Sequence, residues 1–109
     1  MANAYKTLGQ VADASANNVT LYTVPASTET VVSTIVICNR EGASNTFRIA
    51  VRPNGATLAN EHYLAYDSSI SANDTITMTL GITVDASDVI SVGASDANVS
   101  FNIFGTEIS

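Results

Sequence analysis

The residue types that most often carry out acid–base or nucleophilic chemistry are scarce in this sequence. His62 is the only histidine and Cys38 is the only cysteine. Histidine is the commonest general acid or base, so a catalytic site of that kind has one candidate, with Glu61, Tyr63 and Asp67 beside it. We interpret His62 as a surface residue next to a glutamate, and Cys38 as a small core residue within the most apolar stretch of the chain. We therefore expect no enzymatic activity and no catalytic residues.

Metal and cofactor sites are not expected either. One histidine and one cysteine do not supply the four ligands of a structural zinc ion. Asp85, Asp88 and Asp96 lie in two predicted turns, where carboxylates can bind calcium, but their spacing is not that of an EF-hand. Aspartate in a turn usually accepts hydrogen bonds from nearby backbone, so we expect a structural role for all three. The sequence has no phosphate-binding glycine loop and no catalytic-serine motif.

The composition indicates one domain with an unusually uncharged surface. The chain has 109 residues, of which 46% are hydrophobic and 13% charged, and its net charge is −6. Because the chain has few basic residues, binding to nucleic acid or to an anionic membrane is not expected. A surface with little charge is poorly protected against association, so we expect a homo-oligomer in contact with neighbouring proteins. The first residues lack the apolar core of a signal peptide, and no stretch has the length of a membrane span, so we expect cytoplasmic synthesis.

Short apolar runs separated by turn residues recur about eight times along the chain. The clearest is residues 75–80, where threonines alternate with Ile76, Met78 and Leu80, and Gly81 then predicts a bulge. The pattern predicts an all-β fold with almost no helix, namely a single antiparallel β-sandwich, jelly-roll-like, of about eight short strands. The strand order stays open. We assign residues 19–109 to the sandwich and residues 1–18 to an N-terminal arm or a first strand.

Residues 30–52 predict a central hairpin around which the other strands are organised. Two strands would pair across a polar loop at residues 39–45, which is rich in residues that permit a tight reversal. Period-two alternation places one set of side chains of the first strand on a common face. That set is Val31, Ser33, Ile35 and Ile37.

Three arginines lie on this predicted hairpin and its loop, where they form a candidate docking patch for an acidic partner. Ion pairs with Glu41 or Glu61 are the structural alternative. Tyrosines on the arm and beside His62 are candidate interface anchors, although aromatic strand residues more often lie in the core. The candidate partner-binding residues are Tyr5, Lys6, Arg40, Arg48, Arg52, His62 and Tyr63.

Three stretches together resemble a known group of proteins. They are LYTVPASTETVVSTIVICNR at 21–40, TFRIAVRPNG and HYLAYD within 46–67, and NDTITMTLGITVDASDVI at 73–90 with the ending FNIFGTEIS. They are similar to small proteins encoded among the structural genes of tailed bacteriophages, including phages of aquatic bacteria and cyanobacteria. The resemblance covers nearly the whole chain from Leu21 onward. It implies a non-enzymatic component of the virion, assembled in the host cytoplasm.

The resemblance includes proteins of the capsid and of the tail, and our leading hypothesis is a capsid decoration or cement protein that binds the major capsid protein, as a homo-oligomer such as a trimer. A tail or baseplate component is the nearest alternative. A carbohydrate-binding receptor module is a third, since jelly rolls often serve that role. For such a module, exposed aromatics beside Asp or Asn are expected on a loop, and residues 63–67 are the candidate site.

Overall fold

The computed structural model describes residues 2–109, and within them the chain forms eight strands joined by turns and short loops. Two single turns of 3-10 helix, Pro53–Gly55 and Asn60–His62, lie between the fourth and fifth strands. In this described part of the chain, no helix has the length and apolar character needed to cross a membrane. The strands are β1 (Asn3–Val11), β2 (Val19–Thr23), β3 (Glu29–Asn39), β4 (Asn45–Arg52), β5 (Tyr63–Ile70), β6 (Thr75–Val84), β7 (Val89–Ala94) and β8 (Val99–Ile108).

Over residues 2–109 the strands divide into two antiparallel sheets of four. The order is β1-β8-β3-β6 in the first sheet and β2-β7-β4-β5 in the second. This is the strand order of a jelly roll, in which the chain passes repeatedly from one sheet to the other. The predicted fold class, an all-β sandwich of about eight strands, is confirmed.

The core lies between the two sheets and is built from the inward side chains of both. Ile35 and Ile37 of β3 and Phe101 and Ile103 of β8 are completely buried. Phe47 of β4 reaches across from the second sheet and packs edge-on against Phe101, with ring centroids 6.5 Å apart. Removal of these apolar surfaces from water is the main force that holds the sheets face to face.

The prediction that residues 30–52 form a hairpin is wrong. β3 pairs with β6 and β8 in the first sheet, whereas β4 pairs with β5 and β7 in the second. The chain crosses between the sheets directly after Asn39, which lets the apolar faces of both strands enter the same core. The buried Asn39 side chain shapes the crossing. Its amide donates to the carbonyl oxygens of Ala43 at 2.8 Å and Ser71 at 3.1 Å, and its Oδ1 accepts from the Glu41 N–H at 3.1 Å.

A bulge at Ser33 changes the faces predicted for the start of β3. The register with β8 shifts just after Val32, and the Ser33 hydroxyl donates to the carbonyl oxygen of Phe104 at 3.1 Å. Because of the extra residue, Val32 and Ile35 both face the core, although regular alternation would separate them. The assignment of Val31 to the face of Ile35 is therefore wrong, and Val31 is 37% exposed.

The bulge predicted at Gly81 in β6 is confirmed. Gly81 has a φ of +61°, and the register with β3 shifts between Thr79 and Ile82. Glycine adopts this left-handed conformation without a Cβ penalty. Leu80, beside the bulge, is 37% exposed, although regular alternation with Ile76 and Met78 would place it on the inward face.

Candidate interaction surfaces

A cluster of aromatic and charged side chains occupies the outer face of the second sheet. Arg48 of β4 contacts the Asp67 carboxylate through two hydrogen bonds, from Nε to Oδ1 at 2.7 Å and from Nη2 to Oδ2 at 3.2 Å. The guanidinium carbon lies 4.2 Å from the centroid of the Tyr66 ring. Tyr66 in turn packs edge-to-face with Tyr63, with ring centroids 4.8 Å apart. We call these four residues the tyrosine–arginine patch.

A bulge in β5 brings these groups together. Ala65 pairs with Ile49 and Ser68 pairs with Phe47, so β5 uses one more residue than β4 over this stretch. Asp67 has a φ of 50°, in the left-handed region that aspartate tolerates better than most residues. The alternation of β5 is broken there, and consecutive residues, a tyrosine and an aspartate, both contact the same arginine.

The charges of the patch are mutually stabilised. The hydrogen bonds from Arg48 hold the pKa of Asp67 below its usual value, and the same bonds raise the pKa of Arg48 above its already high one. The Asp67 side chain is 48% exposed and that of Arg48 is 29% exposed, so water and salt reach this pair and it adds little to the stability of the fold. Its main effect is to fix the position of the Tyr66 ring, which is 57% exposed.

Open cavities flank the patch on both sides. One, of about 380 Å³, is lined by Asn60, Tyr63 and Tyr66. Aromatic rings beside an amide offer an apolar wall and a hydrogen-bonding group, which is the chemistry of a small polar ligand site. The other cavity, of about 230 Å³, is lined by Asn17, Thr46, Arg48, Asp67, Ala94 and Ser95.

Arg52, also on β4, supports the loop that follows the strand. Its Nε donates to the Ser91 hydroxyl at 2.9 Å, and its Nη1 donates to the carbonyl oxygens of Ala56 at 3.0 Å and Gly55 at 3.3 Å. His62, in the same connection, accepts a hydrogen bond at Nδ1 from the Ala59 N–H at 3.0 Å and is half-buried. These contacts organise the segment that leads into β5.

Arg40 lies at one end of the sandwich, away from the other arginines along β4. Its Nη2 donates to the carbonyl oxygens of Ala12 at 2.8 Å and Ala97 at 3.1 Å, joining two loops. Between residues 2 and 109, the ion pairs are Arg48–Asp67 and a pair formed by Lys6. The alternative that the arginines pair with Glu41 or Glu61 is therefore wrong.

Tyr5 and Lys6 lie on the opposite side of the molecule, on β1 at the edge of the first sheet. Tyr5 is 81% exposed. The Lys6 ammonium contacts Glu107 Oε1 at 2.6 Å, and Glu107 Oε2 accepts from the Tyr22 hydroxyl at 2.5 Å. That hydroxyl also hydrogen-bonds with the Thr30 hydroxyl at 2.8 Å, which links β2 of the second sheet to the first sheet.

The contacts of Glu107 and Tyr22 shift the pKa values of both side chains. The hydrogen bonds from Lys6 and then from Tyr22 hold the pKa of Glu107 below its usual value. Burial, together with the hydrogen bond to Glu107, raises the pKa of Tyr22 to about 12. Lys6 thus pairs with Glu107 within the first sheet, and the Tyr22 hydroxyl makes the contacts between the sheets.

The seven predicted partner-binding residues consequently do not form one surface. Arg48 and Tyr63 are together in the tyrosine–arginine patch, whereas Tyr5 and Lys6 are on the other sheet. Tyr66, the exposed centre of the patch, was outside the predicted set. Its signal in the sequence was the tyrosine-aspartate pair within residues 63–67, which the carbohydrate-binding alternative had singled out.

Among residues 2–109, neither Cys38 nor the potential metal-ligating residues form a reactive site. Cys38 is half-buried on the outer face of the first sheet, paired with Thr75 and Ser100, so its assignment to the core is wrong. The residues of β3 that follow the bulge alternate so that Ile37 faces inward and Cys38 outward. No group of three or more potential metal-ligating side chains is present in the described residues.

The predicted turn role of the aspartates is confirmed. Asp88 accepts from the N–H groups of Asn54 and Asp85, both at 2.8 Å. Asp96 accepts from the Asn98 N–H at 2.8 Å. The bonds from the N–H groups of Asp85 and Asn98 are local ones by which aspartate stabilises turns, and the bond from Asn54 joins the turn before β7 to the loop after β4.

The outer face of the first sheet has a distinctive composition. From Val31 to Cys38 of β3, the strand registers place residues of β3, β6 and β8 side by side on it, and none of these is Asp, Glu, Lys, Arg or His. Glu29 lies beyond them, at the start of β3. We call this surface the threonine face. It consists of Val31, Thr34, Val36, Cys38, Thr75, Thr77, Thr79, Thr83, Ser100, Asn102, Phe104 and Thr106.

Comparison with known proteins identifies related folds. No family model matches the sequence, and no curated protein matches it. The chain is similar to part of a chain in the crystal structure of the T13 viral particle of infectious bursal disease virus, with a TM-score of 0.53 and 11% identity. The match covers 96% of this chain and 30% of that one. At this identity, the similarity shows a common fold.

Two further similarities have lower scores. The VP2 subviral particle of infectious bursal disease virus matches with a TM-score of 0.47 and 12% identity, over 97% of this chain and 32% of that one. A pentameric capsid protein from metagenomic phage sequences matches with a TM-score of 0.42 and 19% identity, over 95% of this chain and 63% of that one. The chain therefore spans about a third of the length of the bursal disease virus chains that it matches.

Proposed function

We propose that this chain is a non-enzymatic structural component of a virus particle. The observation that carries the proposal is the jelly-roll fold, which 96% of the chain shares with part of a viral-particle protein at a TM-score of 0.53. The resemblance of three sequence stretches to virion proteins of tailed bacteriophages narrows the proposal. Most concretely, the chain decorates the head of such a phage and binds the major capsid protein.

The surface of the molecule supports a role in an assembly. Only 13% of the residues are charged, and the threonine face has no ionic side chain. Charged residues are depleted at the centres of protein interfaces, because their desolvation is costly. In this role the seven predicted partner-binding residues are candidates for contact with the capsid protein. Tyr5 is the first to substitute, because it is 81% exposed.

The experiment is to count copies of the chain in purified particles of the virus that encodes it, by quantitative mass spectrometry against isotope-labelled peptides. A decoration protein occupies repeated positions on an icosahedral shell, so we expect hundreds of copies. A count in multiples of three or six, up to a few dozen, would contradict decoration and indicate a tail or baseplate role. Absence of the chain from particles would contradict a virion role altogether.

The tyrosine–arginine patch favours a second candidate function, carbohydrate binding. Tyr63, Tyr66 and Asn60 surround an open cavity of about 380 Å³, and Arg48 with Asp67 provides charged hydrogen-bonding groups beside it. The apolar face of a sugar ring packs on tyrosine, while amides and charged groups bind its hydroxyls. Such a site would let the particle recognise a glycan.

A glycan array followed by titration calorimetry tests this candidate. We expect Tyr66→Ala to weaken binding of the selected glycan about tenfold or more, since the substitution removes the exposed ring. Tyr5→Ala is the matched control, because it also removes an exposed tyrosine but lies on the opposite sheet. Binding that is equal in both variants, or no binding by the wild-type protein, would contradict a glycan site at the patch.

A further inference from the structure

The sixth strand is an open edge of the first sheet. β6 pairs with β3 on one side and, within residues 2–109, with no strand on the other. Its ten residues, TITMTLGITV, include no charged residue and no proline. The threonines at 75, 77 and 79 are exposed, and the apolar residues between them are half-buried. An edge of this kind presents unpaired N–H and C=O groups, to which another strand can add.

The other three edges have features that oppose strand addition. β2 has only five residues, and Pro25 follows it closely. β5 is interrupted by a bulge and carries the charged Asp67 at a positive φ. β1 carries Lys6 and a register shift after Thr7. Short strands, prolines, charges and bulges are the means by which proteins protect sheet edges, and β6 lacks them until its bulge at Gly81.

The regular part of β6 is complementary to itself. Residues 75–79 are Thr-Ile-Thr-Met-Thr, symmetric in residue type about Thr77. If two such strands pair antiparallel about a two-fold axis at Thr77, Thr75 meets Thr79 and Ile76 meets Met78. Directly opposite residues of antiparallel strands lie on the same face of the sheet. The threonine face would therefore continue across the axis, with the apolar pairs meeting on the inner side.

We propose that a second copy of this chain adds its β6 antiparallel to β6 of the first, about a two-fold axis at Thr77. The two first sheets then form one continuous sheet of eight strands, through an isologous contact. Each copy carries a net charge of −6, which opposes association, and the absence of ionic groups from β6 lowers that repulsion locally. The nearest acid along the strand, Asp74, is three residues from the axis, opposite Leu80 of the second copy. This contact between two copies does not depend on the proposed role in a virus particle.

Sedimentation velocity over a range of protein concentrations tests this contact. We expect the wild-type protein to form dimers, and Thr77→Lys to raise the dimer dissociation constant about tenfold or more, because two lysines would face each other on the axis. The control is Thr83→Lys, which adds the same charge to the same strand and face, beyond the bulge. Its dimerisation should match that of the wild type, and circular dichroism checks that both variants fold.

Disulfide trapping gives a second, independent measurement. Residues directly opposite in an antiparallel pair have Cα atoms about 4.5–5.5 Å apart, within the range that a disulfide spans. In a Cys38→Ser background, Thr77→Cys should form a covalent dimer on mild oxidation. Thr83→Cys should not, because the two positions would lie about 40 Å apart at the rise of a β-strand.

Three results would overturn the proposal. One is a wild-type protein that stays monomeric at every concentration, even if particles contain hundreds of copies. Another is equal dimerisation of Thr77→Lys and the wild type. The third is equal trapping at positions 77 and 83. A protein that dimerises through β6 but is absent from particles would leave this contact intact and contradict the proposed function alone.

Discussion

Gly105→Ala is expected to lower the free energy of unfolding by about 3 kcal/mol or more, a large share of the stability of a small domain. Gly105 lies on β8, in the middle of the first sheet, opposite Val32 of β3. A Cβ there would overlap the carbonyl oxygen of Val31 and lie 3.1 Å from both Val32 Cα and Leu8 Cδ1. The oxygen and the Cα belong to the backbone of a paired strand, so they cannot move aside as a flexible side chain can.

Gly42→Ala is the matched control for this substitution. Gly42 is exposed in the loop after β3, and nothing lies within 4 Å of the position that its Cβ would take. We expect its effect to stay within about 0.5 kcal/mol, as for other surface substitutions. Equilibrium unfolding in urea measures both variants. Equal unfolding midpoints for the two would show that the first sheet adjusts to a methyl group at Gly105.

Asn39→Ala is expected to destabilise the protein by about 3 kcal/mol, because several buried polar groups lose their partners at once. The side chain is 1% exposed and donates to the carbonyl oxygens of Ala43 and Ser71. Its Oδ1 accepts from the Glu41 N–H and from the Asn45 side-chain amide, both at 3.1 Å. Each orphaned buried donor or acceptor costs about 1–3 kcal/mol, although loop relaxation readmits water to some of them.

Asn102→Ala serves as the control for the loss of an amide. Asn102 is half-exposed on β8 and accepts one hydrogen bond, from the Gln10 side chain at 2.6 Å. Because water can replace that partner, we expect a loss of no more than about 1 kcal/mol in thermal or urea unfolding. If the two alanine variants were equally stable, the crossing between the sheets would not depend on the Asn39 amide.

The sequence predicts the strands well because alternation and turn residues are local signals. Residues 75–80 predicted an alternating strand in the region of β6, and the bulge at Gly81 was predicted from a single residue. The same signals do not show which strands are neighbours. β3 and β4 each bury one face in the core. A hairpin within one sheet would bury both faces, and so does a chain that crosses from one sheet to the other. The polar Asn39 at an inward position was the one sign of a crossing.

The candidate surfaces were harder to predict than the fold. Arg48 and Tyr63 belong to one patch because a bulge in β5 turns Tyr66 and Asp67 toward the same arginine, whereas period-two alternation would place these consecutive residues on opposite faces. The bulge at Ser33 likewise moved Val31 outward. Register shifts depend on the partner strand, so the faces of such residues follow from the pairing and not from the local sequence.

The position of β8 in the first sheet has a consequence for biosynthesis. β8 lies between β1 and β3, so the first of the eight strands has its hydrogen-bonding partner about 100 residues later in sequence, as in the pair Tyr5 and Thr106. During translation β1 and β3 emerge long before the strand that joins them. The first sheet therefore closes only after β8 has left the ribosome. Until then the apolar face of β3 lacks the neighbour that covers its edge, which exposes it to association with other chains.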